Sequence, residues 1–311
     1  MHASRWSQHA LTIVFIIVGI AAVGAWLGPL HWLGDILALV IDYYFLLAGL
    51  LLLLALWQRR WRAVGLAATI LVLTSVQLTS HPRVTPAALP QGARELRVLV
   101  YNIYYLNEDL DAVVASVKAS DADIVFLMEY SEAIHEQIGA AFADYPYQLI
   151  RPSRFTMGLA LLSRLPFEAT EVHRNEETRI PIYEVRMRLN GDPFTLVGGH
   201  PWPPQLRWGA LHRSQMAAIS QVAAQATAPR LIVGDFNAVP WSYTIRQLVE
   251  QADVLPIRQP VDLTKTWRPL PFFGLPVDHV LVSPEWQVLV QSYGAPGGSD
   301  HVPMIVDLAL N

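Results

Sequence analysis

Acidic, amide and histidine side chains follow short apolar runs at several points in the chain from residue 96 onwards. The clearest example is Leu231-Ile232-Val233-Gly234-Asp235-Phe236-Asn237. The three aliphatic residues predict a buried strand, and the glycine allows another part of the chain to approach closely. Asp235 and Asn237 are two residues apart, so an extended backbone would point them the same way. A carboxylate beside an amide is suited to holding a water molecule, a metal ion or a phosphate oxygen.

Other predicted strands end in the same way or have polar groups in the adjoining loop. A sheet protein gathers its strand ends in space, and we therefore expect these groups to converge. Glu129 and a neighbouring acid would hold a hard cation through oxygen ligands, and a histidine backed by an aspartate would handle a proton. Amide and imidazole groups would stabilise charge on phosphate oxygens. Such a set favours phosphoester hydrolysis, although Glu129 alone could equally cap a helix that begins near Ser131. The residues are Asn102, Glu129, His200, Asp235, Asn237, Asp278, Asp300 and His301.

The predicted elements from Leu96 run strand, helix, strand, helix, and then mostly strands. Asn107 is the expected N-cap of a helix over about 108–119, and further helices are predicted over 131–141 and 206–226. So many strands with few helices predict two sheets packed face to face, with the helices outside.

Several short segments match one known family in content and order. The combination of Gly234-Asp235-Phe236-Asn237 with a terminal Ser299-Asp300-His301 is specific, and Val277-Asp278-His279-Val280 lies between them. The sequence thereby resembles the endonuclease/exonuclease/phosphatase superfamily, the fold of pancreatic-type deoxyribonuclease and neutral sphingomyelinases. The resemblance implies an α/β fold, a four-layer sandwich of two packed mixed β-sheets flanked by helices, over residues 93–311. The other matching segments are Tyr101-Asn102, Leu127-Met128-Glu129, 158–163 and Gly199-His200.

The resemblance also implies a divalent metal cofactor, Mg²⁺ or Mn²⁺. Glu129 would bind this ion, with Asn102 and Asp300 nearby.

Five residues would then act on the substrate. Asp278 would orient His301, and His200 and Asn237 would contact the scissile phosphate. Asp235 would position the attacking water. Either Asp235 or His301 would take the proton of that water.

The first 80 residues differ in kind, because they are almost entirely aliphatic and aromatic after Leu11. Three stretches, about 11–32, 36–57 and 63–79, each approach the ~20 residues that cross a bilayer. They are apolar all round, which is not typical of a soluble helical bundle. A bundle of three transmembrane helices is predicted over residues 1–80. The third stretch is the shortest and carries several polar residues.

The basic residues predict how this bundle is oriented. Arg59, Arg60 and Arg62 lie between the second and third stretches, and Arg5 precedes the first. The positive-inside rule places these arginines in the cytoplasm. Three spans would then put the C-terminal domain outside the cytoplasm, on the inner or plasma membrane. Asp42, inside the second stretch, is either a functional intramembrane charge or reaches the interface.

The remaining features bear on the substrate. Residues 81–92 are rich in proline and predict an extended linker. From Gly92 onwards there are 17 Lys and Arg against 24 Asp and Glu, an excess of seven acids. Nucleic-acid binders usually carry a basic surface, so nucleic acid is the less favoured substrate.

These features together lead to one favoured function and two alternatives. We expect a membrane-embedded, metal-dependent phosphoesterase that acts on lipid-linked or envelope phosphates. A membrane-anchored nuclease is the first alternative. A non-catalytic membrane receptor or scaffold with the same fold is the second. No protein partner and no organic cofactor can be deduced.

Overall fold

The computed structural model describes residues 2–86, 96–259 and 264–310, with side chains described from residue 13 onwards. Strands account for much of residues 96–310. They are β1 Leu96–Asn102, β2 Ile124–Met128, β3 Tyr147–Arg151, β4 Leu159–Ser163, β5 Phe167–Arg174, β6 Pro181–Leu189, β7 Asp192–Gly199, β8 Arg230–Asp235, β9 Leu255–Pro256, β10 Trp267–Leu270, β11 Phe273–Leu275, β12 Asp278–Val282, β13 Trp286–Tyr293 and β14 Met304–Leu310.

These strands form two six-stranded sheets and a separate hairpin of β10 and β11. The first sheet has the order β13-β14-β1-β2-β4-β3, and the second has the order β5-β6-β7-β8-β12-β9. In each sheet one central pair is parallel, β1 with β2 and β7 with β8. The other pairs within the two sheets are antiparallel. The prediction of two mixed sheets is therefore confirmed.

The helices begin and end as follows: α1 His2–Gly24, α2 Leu33–Ala38, α3 Ile41–Trp57, α4 Trp61–Thr79, α5 Leu110–Ser120, α6 Glu132–Ile138, α7 Gly209–Gln225 and α8 Tyr243–Ala252. The largest apolar core lies between the sheets, where Phe126 and Met128 of the first meet Tyr183 and Val233 of the second. Helices α5 and α6 cover the outer face of the first sheet, and α7 and α8 cover that of the second. The result is the expected order of helices, sheet, sheet, helices.

Local details differ from expectation at the helix starts. Asp109, not Asn107, caps α5 by accepting a hydrogen bond from the Ala112 amide at 3.2 Å. Asn107 instead donates to the carbonyls of Ile103 and Gly297. Ser131 caps α6, which leaves the Glu129 carboxylate free for another role. Helix α8, the short strand β9 and the β10–β11 hairpin were not expected.

The N-terminal segment is a helical bundle with an apolar exterior. Phe15, Ala48 and Ala67 belong to its small core, contributed by α1, α3 and α4. Large apolar side chains such as Ile20, Leu50 and others along the helices are more than half exposed. Among the described residues, only α4 is both long and apolar enough to cross a membrane, and the apolar helices 13–27 and 41–57 are shorter. The residues whose side chains are described therefore show one candidate span, and the three-span bundle stays a prediction.

The first two predicted spans are not single continuous helices. The first predicted span breaks after Gly24, and the second is divided at Leu39-Val40 between α2 and α3. Asp35 in α2 forms a salt bridge with Arg213 of α7 and accepts the Tyr243 amide at 2.9 Å. The segment between α1 and α3 thus contacts the sheet domain, and it is not one continuous helix.

Asp42 and Tyr43, at the start of α3, contact the β10–β11 hairpin. Asp42 forms a salt bridge with Lys265, which gives its charge a partner outside the bundle. The Tyr43 hydroxyl donates to the Gly274 carbonyl at 2.9 Å and accepts from the Gly274 amide at 2.8 Å. The hairpin is thus fixed to the N-terminal segment.

The first part of the predicted linker also has defined contacts. Val84 pairs with Ile257 beside β9, through hydrogen bonds to Pro256 and from Arg258. Val84 therefore lies beside the edge of the second sheet, and residues 87–92 of the predicted linker lie outside the described residues.

Candidate active site

The predicted polar residues gather where strands of the two sheets end side by side. Asn102 is level with Met128 in the parallel pair β1–β2, so Glu129 follows directly beside it. In the second sheet, Asp235 at the end of β8 is opposite Asp278 at the start of β12. A Cβ atom on Gly234 would lie 2.0 Å from the Gly199 carbonyl oxygen, so only glycine permits this approach of β7 and β8.

Asn102 links acids from the two sheets. Its Nδ2 donates to Glu129 Oε1 at 3.2 Å and to Asp235 Oδ2 at 3.0 Å. Its Oδ1 accepts from the Tyr104 amide at 3.0 Å, and this contact defines which end of the amide faces the acids. In this arrangement Asn102 orients the two carboxylates through its nitrogen. Its role as a metal ligand stays a prediction.

Glu129 is held by the backbone around it. Its φ angle is +58°, in the left-handed region that non-glycine residues rarely occupy. Its Oε2 accepts from the Tyr105 amide at 3.0 Å, and its side chain is 14% exposed. The strained backbone turns the carboxylate away from helix α6 and towards Asn102. Strain of this kind is typical of functional sites.

His301 and Asp278 form the predicted pair. The distance from His301 Nδ1 to Asp278 Oδ2 is 2.8 Å, and His301 Nε2 lies 3.7 Å from Asp235 Oδ2. All three side chains are almost completely buried. The Ser299 hydroxyl accepts the His301 amide at 3.0 Å and donates to the Asn102 carbonyl, which ties this loop to β1.

The charges around this pair change its proton affinities. Burial lowers the pKa of His301, but the charge and hydrogen bond of Asp278, with Asp235 and Asp300, outweigh it and raise the pKa to about 9. Burial raises the pKa of Asp235 above that of a free aspartate, and the charge of Asp278 adds to the effect. At neutral pH, a protonated imidazole therefore faces an aspartate with increased affinity for a proton.

His200 and Asn237 lie on either side of Asp235. The Nδ1 atom of His200 is 3.1 Å from the Asp235 carbonyl, and its Nε2 is 3.8 Å from Glu129 Oε1. Asn237 has a φ angle of +48°, so it does not continue the strand as an extended chain would. Its amide donates to Asp235 Oδ1 at 2.8 Å, and its Nδ2 donates to the Pro201 carbonyl at 3.0 Å.

Asp300 completes the set through an interaction that was not expected. Its Oδ2 accepts a hydrogen bond from Trp267 Nε1 at 2.7 Å, and its carbonyl accepts the Arg268 amide. The hairpin that the N-terminal segment holds thus contacts one of the predicted metal ligands.

The available donors suit a hard divalent cation. The carboxylates of Glu129 and Asp300 both line the same cavity, and oxygen ligands of this kind are preferred by Mg²⁺ and Mn²⁺. Asp235, Asp278 and His301 form a second candidate metal group, with ligand atoms within 4.8 Å of one another. There, however, His301 Nδ1 is engaged by Asp278 and its raised pKa favours the protonated ring, which cannot bind a metal. Both groups are candidate cation sites, and the predicted place of the cation beside Glu129 stays a prediction.

A cavity of about 630 Å³ opens above these groups. Glu129, His200, Asp235, Asn237, Asp300 and His301 form its polar floor. Aromatic and apolar side chains form its walls, and Trp202 and Trp208 pack edge to face there with centroids 4.5 Å apart. Leu39 of the N-terminal segment contributes to the same wall. The site is therefore a polar floor beneath an apolar chamber.

Sequence reasoning missed some of these residues. Tyr104, Tyr105 and Phe155 line the cavity from loops with no apolar pattern, and Leu39 is one leucine among many in the bundle. His279 also has a defined place: it stacks on Phe236, and its Nε2 is 2.7 Å from the Ala238 carbonyl. The sequence signal for His279 was its position next to Asp278 in the motif Val277-Asp278-His279-Val280.

Comparison with known proteins gives a family and a fold for this chain. A model of the Endonuclease/Exonuclease/phosphatase family matches residues 99–301. None of the curated proteins compared with the chain matches it.

Several solved structures share the fold. TDP2 of D. rerio, humanized by 14 mutations, is 15% identical with a TM-score of 0.59, over 69% of this chain and 98% of that one. The human nocturnin catalytic domain with bound sulfate is 17% identical with a TM-score of 0.56, over 70% and 94% of the two chains. A mannosyl-6-phosphatase of Bacteroides thetaiotaomicron is 15% identical with a TM-score of 0.53, over 69% and 100%. At these identities the likeness concerns the fold. The matched family model covers most of the chain, and the protein belongs to the endonuclease/exonuclease/phosphatase family of phosphoester-hydrolysing enzymes.

Proposed function

We propose that this protein is a membrane-anchored, divalent-metal-dependent phosphoesterase whose substrates are phosphate esters attached to a lipid or another apolar group. The observation that carries the proposal is the cavity, in which a polar floor of acids and histidines lies beneath an apolar wall. A phosphate group would be placed on the floor, and an apolar chain would be removed from water by the wall.

The position of the cavity relative to the N-terminal segment supports the membrane part of this proposal. Leu39 contributes to the cavity wall, and the exposed Phe272 lies at the tip of the hairpin that Tyr43 holds. The exterior of the bundle is apolar, as expected of a surface that contacts lipid. A substrate embedded in a bilayer would then reach the site without leaving the membrane surface.

The residues of the floor have distinct tasks in this proposal. Asp235 accepts hydrogen bonds from Asn102 and Asn237, so its carboxylate is fixed where it can orient a water molecule. Its raised pKa suits a group that takes a proton near neutral pH. Protonated His301, oriented by Asp278, would stabilise negative charge on the phosphate oxygens.

Two further residues and the cation complete the assignment. His200 directs its Nε2 towards Glu129 and the cavity, where it would contact a phosphate oxygen. Glu129 and Asp300 would hold the divalent cation, with Asn102 beside them. When bound, the cation would act as a Lewis acid on the phosphoryl oxygen.

A substrate screen tests this function directly. Detergent-solubilised protein with Mg²⁺ would be offered a lipid phosphate, a lipid pyrophosphate, a sphingomyelin-like diester, single-stranded DNA and the soluble ester 4-nitrophenyl phosphate. We expect hydrolysis of at least one lipid ester at a kcat/KM above that of the soluble ester, and loss of this activity in EDTA. Preferential hydrolysis of DNA would instead favour the anchored nuclease. Hydrolysis of none of them would favour the non-catalytic scaffold.

A topology experiment tests the predicted location outside the cytoplasm. Reporters that are active only on one side of the membrane would be fused after Asn311 and within residues 58–62. Three spans require an extracytoplasmic signal from the first fusion and a cytoplasmic signal from the second. A cytoplasmic signal from the C-terminal fusion would contradict the three-span arrangement.

A further inference from the structure

A second groove lies next to the cavity and has the opposite character. It has a volume of about 520 Å³, and four exposed arginines line it: Arg151, Arg154, Arg174 and Arg179. Glu132 is its one acidic lining residue, and the nearest approach of this acid to Arg154 is 3.8 Å. Four positive charges against one negative charge leave the groove with a net positive charge. The groove is therefore basic within a domain that has an excess of seven acids.

The groove adjoins the cavity. Ser153, Phe155, Met157 and Trp202 contribute to the walls of both. These shared side chains separate a molecule whose phosphate lies on the floor of the cavity from the groove with the arginines. The groove is placed to contact a part of the same molecule.

The turn that carries Arg179 is held by several hydrogen bonds. Arg179 has a φ angle of +59°, a conformation that costs free energy for a residue with a side chain. Asn175, which is buried, holds this turn: its Oδ1 accepts the amides of Glu177 and Thr178 at 3.0 and 2.8 Å. Its Nδ2 also anchors the turn to Ser214 of α7. Arg174 donates to the Arg179 carbonyl at 3.0 Å, so two of the four arginines belong to one fixed unit.

Arginine clusters of this kind bind anions, because the guanidinium group offers paired donors to phosphate and carboxylate oxygens. We propose that this groove binds a second anionic group, of the phosphate type, in the head group of the lipid substrate. This inference rests on the proposed function and narrows it: the substrate is a lipid with an anionic group beyond the phosphoester that is cleaved.

Binding without turnover tests the proposal. The full-length protein in detergent micelles would be kept in EDTA at 150 mM salt, so that hydrolysis does not interfere. Dissociation constants would be measured by calorimetry for micelles that contain phosphatidylglycerol or phosphatidylglycerol phosphate. These lipids share the diester and differ by one terminal phosphate. Inorganic phosphate and a short single-stranded oligonucleotide serve as soluble probes.

The variant Arg151→Gln/Arg154→Gln removes two groove charges without changing the turn around Asn175. Arg186→Gln is the matched control, since Arg186 is an exposed arginine on β6 that does not line the groove. Wild type should bind the doubly anionic lipid at least about tenfold more tightly, because the arginines add charge-assisted hydrogen bonds to the second anion. The double variant should lose this preference, and the control should keep it.

Each other result contradicts the proposal. Equal binding of the two lipids by wild type, or a preference that survives in the double variant, would show that the groove does not read the second anion. If inorganic phosphate or the oligonucleotide bound more tightly than the doubly anionic lipid, and this binding depended on the two arginines, the groove would be assigned to a different ligand. Hydrolysis would be assayed separately with Mg²⁺. A groove-dependent binding preference without any hydrolysis would contradict the proposed phosphoesterase function but not the anion site in the groove.

Discussion

Trp267 and Asp300 are joined by a 2.7 Å hydrogen bond between the indole Nε1 and the carboxylate Oδ2. Trp267 begins β10, and its backbone also bridges to His301. The other strand of this hairpin is held by Tyr43 through Gly274. The N-terminal segment is therefore one hairpin away from an acid and a histidine of the site. We interpret it as a support for the site as well as an anchor.

Removing the Tyr43 hydroxyl should weaken this support. Tyr43→Phe keeps the ring, which stacks on Phe273 at 5.2 Å, and removes both hydrogen bonds to Gly274. Each such bond contributes about 1 kcal/mol to holding the hairpin, and the part of this loss that reaches Asp300 and His301 should lower kcat, by at most about tenfold. Tyr44→Phe is the control, and it should change neither kcat nor KM. A lower melting temperature with an unchanged kcat would show that Tyr43 serves stability only.

Glu129→Gln should abolish metal-dependent activity while the fold is retained. The substitution removes one charged oxygen ligand and keeps the shape of the side chain. Since a bound cation contributes several kcal/mol to catalysis, turnover should fall by at least about 10²-fold. Glu136→Gln, on the exposed face of α6, is the matched control. Near-normal turnover with unchanged Mg²⁺ dependence would mean that Glu129 is not a ligand.

Asp278 and His301 should behave as one unit in a double-mutant cycle. Asp278→Asn and His301→Ala should each reduce turnover by at least about 10²-fold, the usual scale for positioned acid–base groups. The double variant should be little worse than the worse single one, because each group acts through the other. Turnover and melting temperature would be measured for all three variants. Effects on turnover that multiply would contradict the 2.8 Å contact as a functional one.

His212 should make stability depend on pH. It lies in α7, completely buried, with its Nδ1 2.7 Å from the Trp202 carbonyl, and burial lowers its pKa to about 4. Between about pH 6.5 and pH 4 the unfolded chain binds a proton at this position and the folded chain does not. The free energy of unfolding should therefore decrease as the pH falls through this window, by about 3 kcal/mol from His212.

The measurement is the melting temperature between pH 7 and pH 4.5 for wild type and His212→Gln. The variant should show a smaller decrease, even if its melting temperature at pH 7 is lower. An equal slope for the two proteins would contradict a neutral, buried His212.

The resemblance implied the contact between Asp278 and His301, and the apolar run beside each residue, which became a strand, supported it. The contact of Trp267 with Asp300 could not be predicted, since it depends on the path of a hairpin with little apolar pattern. Helix α8 was missed although a signal was present: Ser242 caps it, and Ile245, Leu248 and Ala252 have helical spacing. The break at Leu39-Val40 was hidden because a uniformly apolar stretch gives no sign of contacts with another domain.

The most direct test of the central claim is the dependence of kcat/KM on the length of the apolar group. Alkyl monophosphates and 4-nitrophenyl alkyl diesters, each from methyl to octyl, would be assayed with Mg²⁺ on wild type, Leu39→Ala and the control Leu50→Ala, an exposed residue of α3. About 0.8 kcal/mol per buried methylene predicts a three- to fourfold rise per added carbon in the hydrolysed series until the apolar wall is covered. Leu39→Ala should reduce this rise, and Leu50→Ala should not. A kcat/KM that does not change with chain length in either series would contradict the proposal that the substrate carries an apolar group bound by the cavity wall.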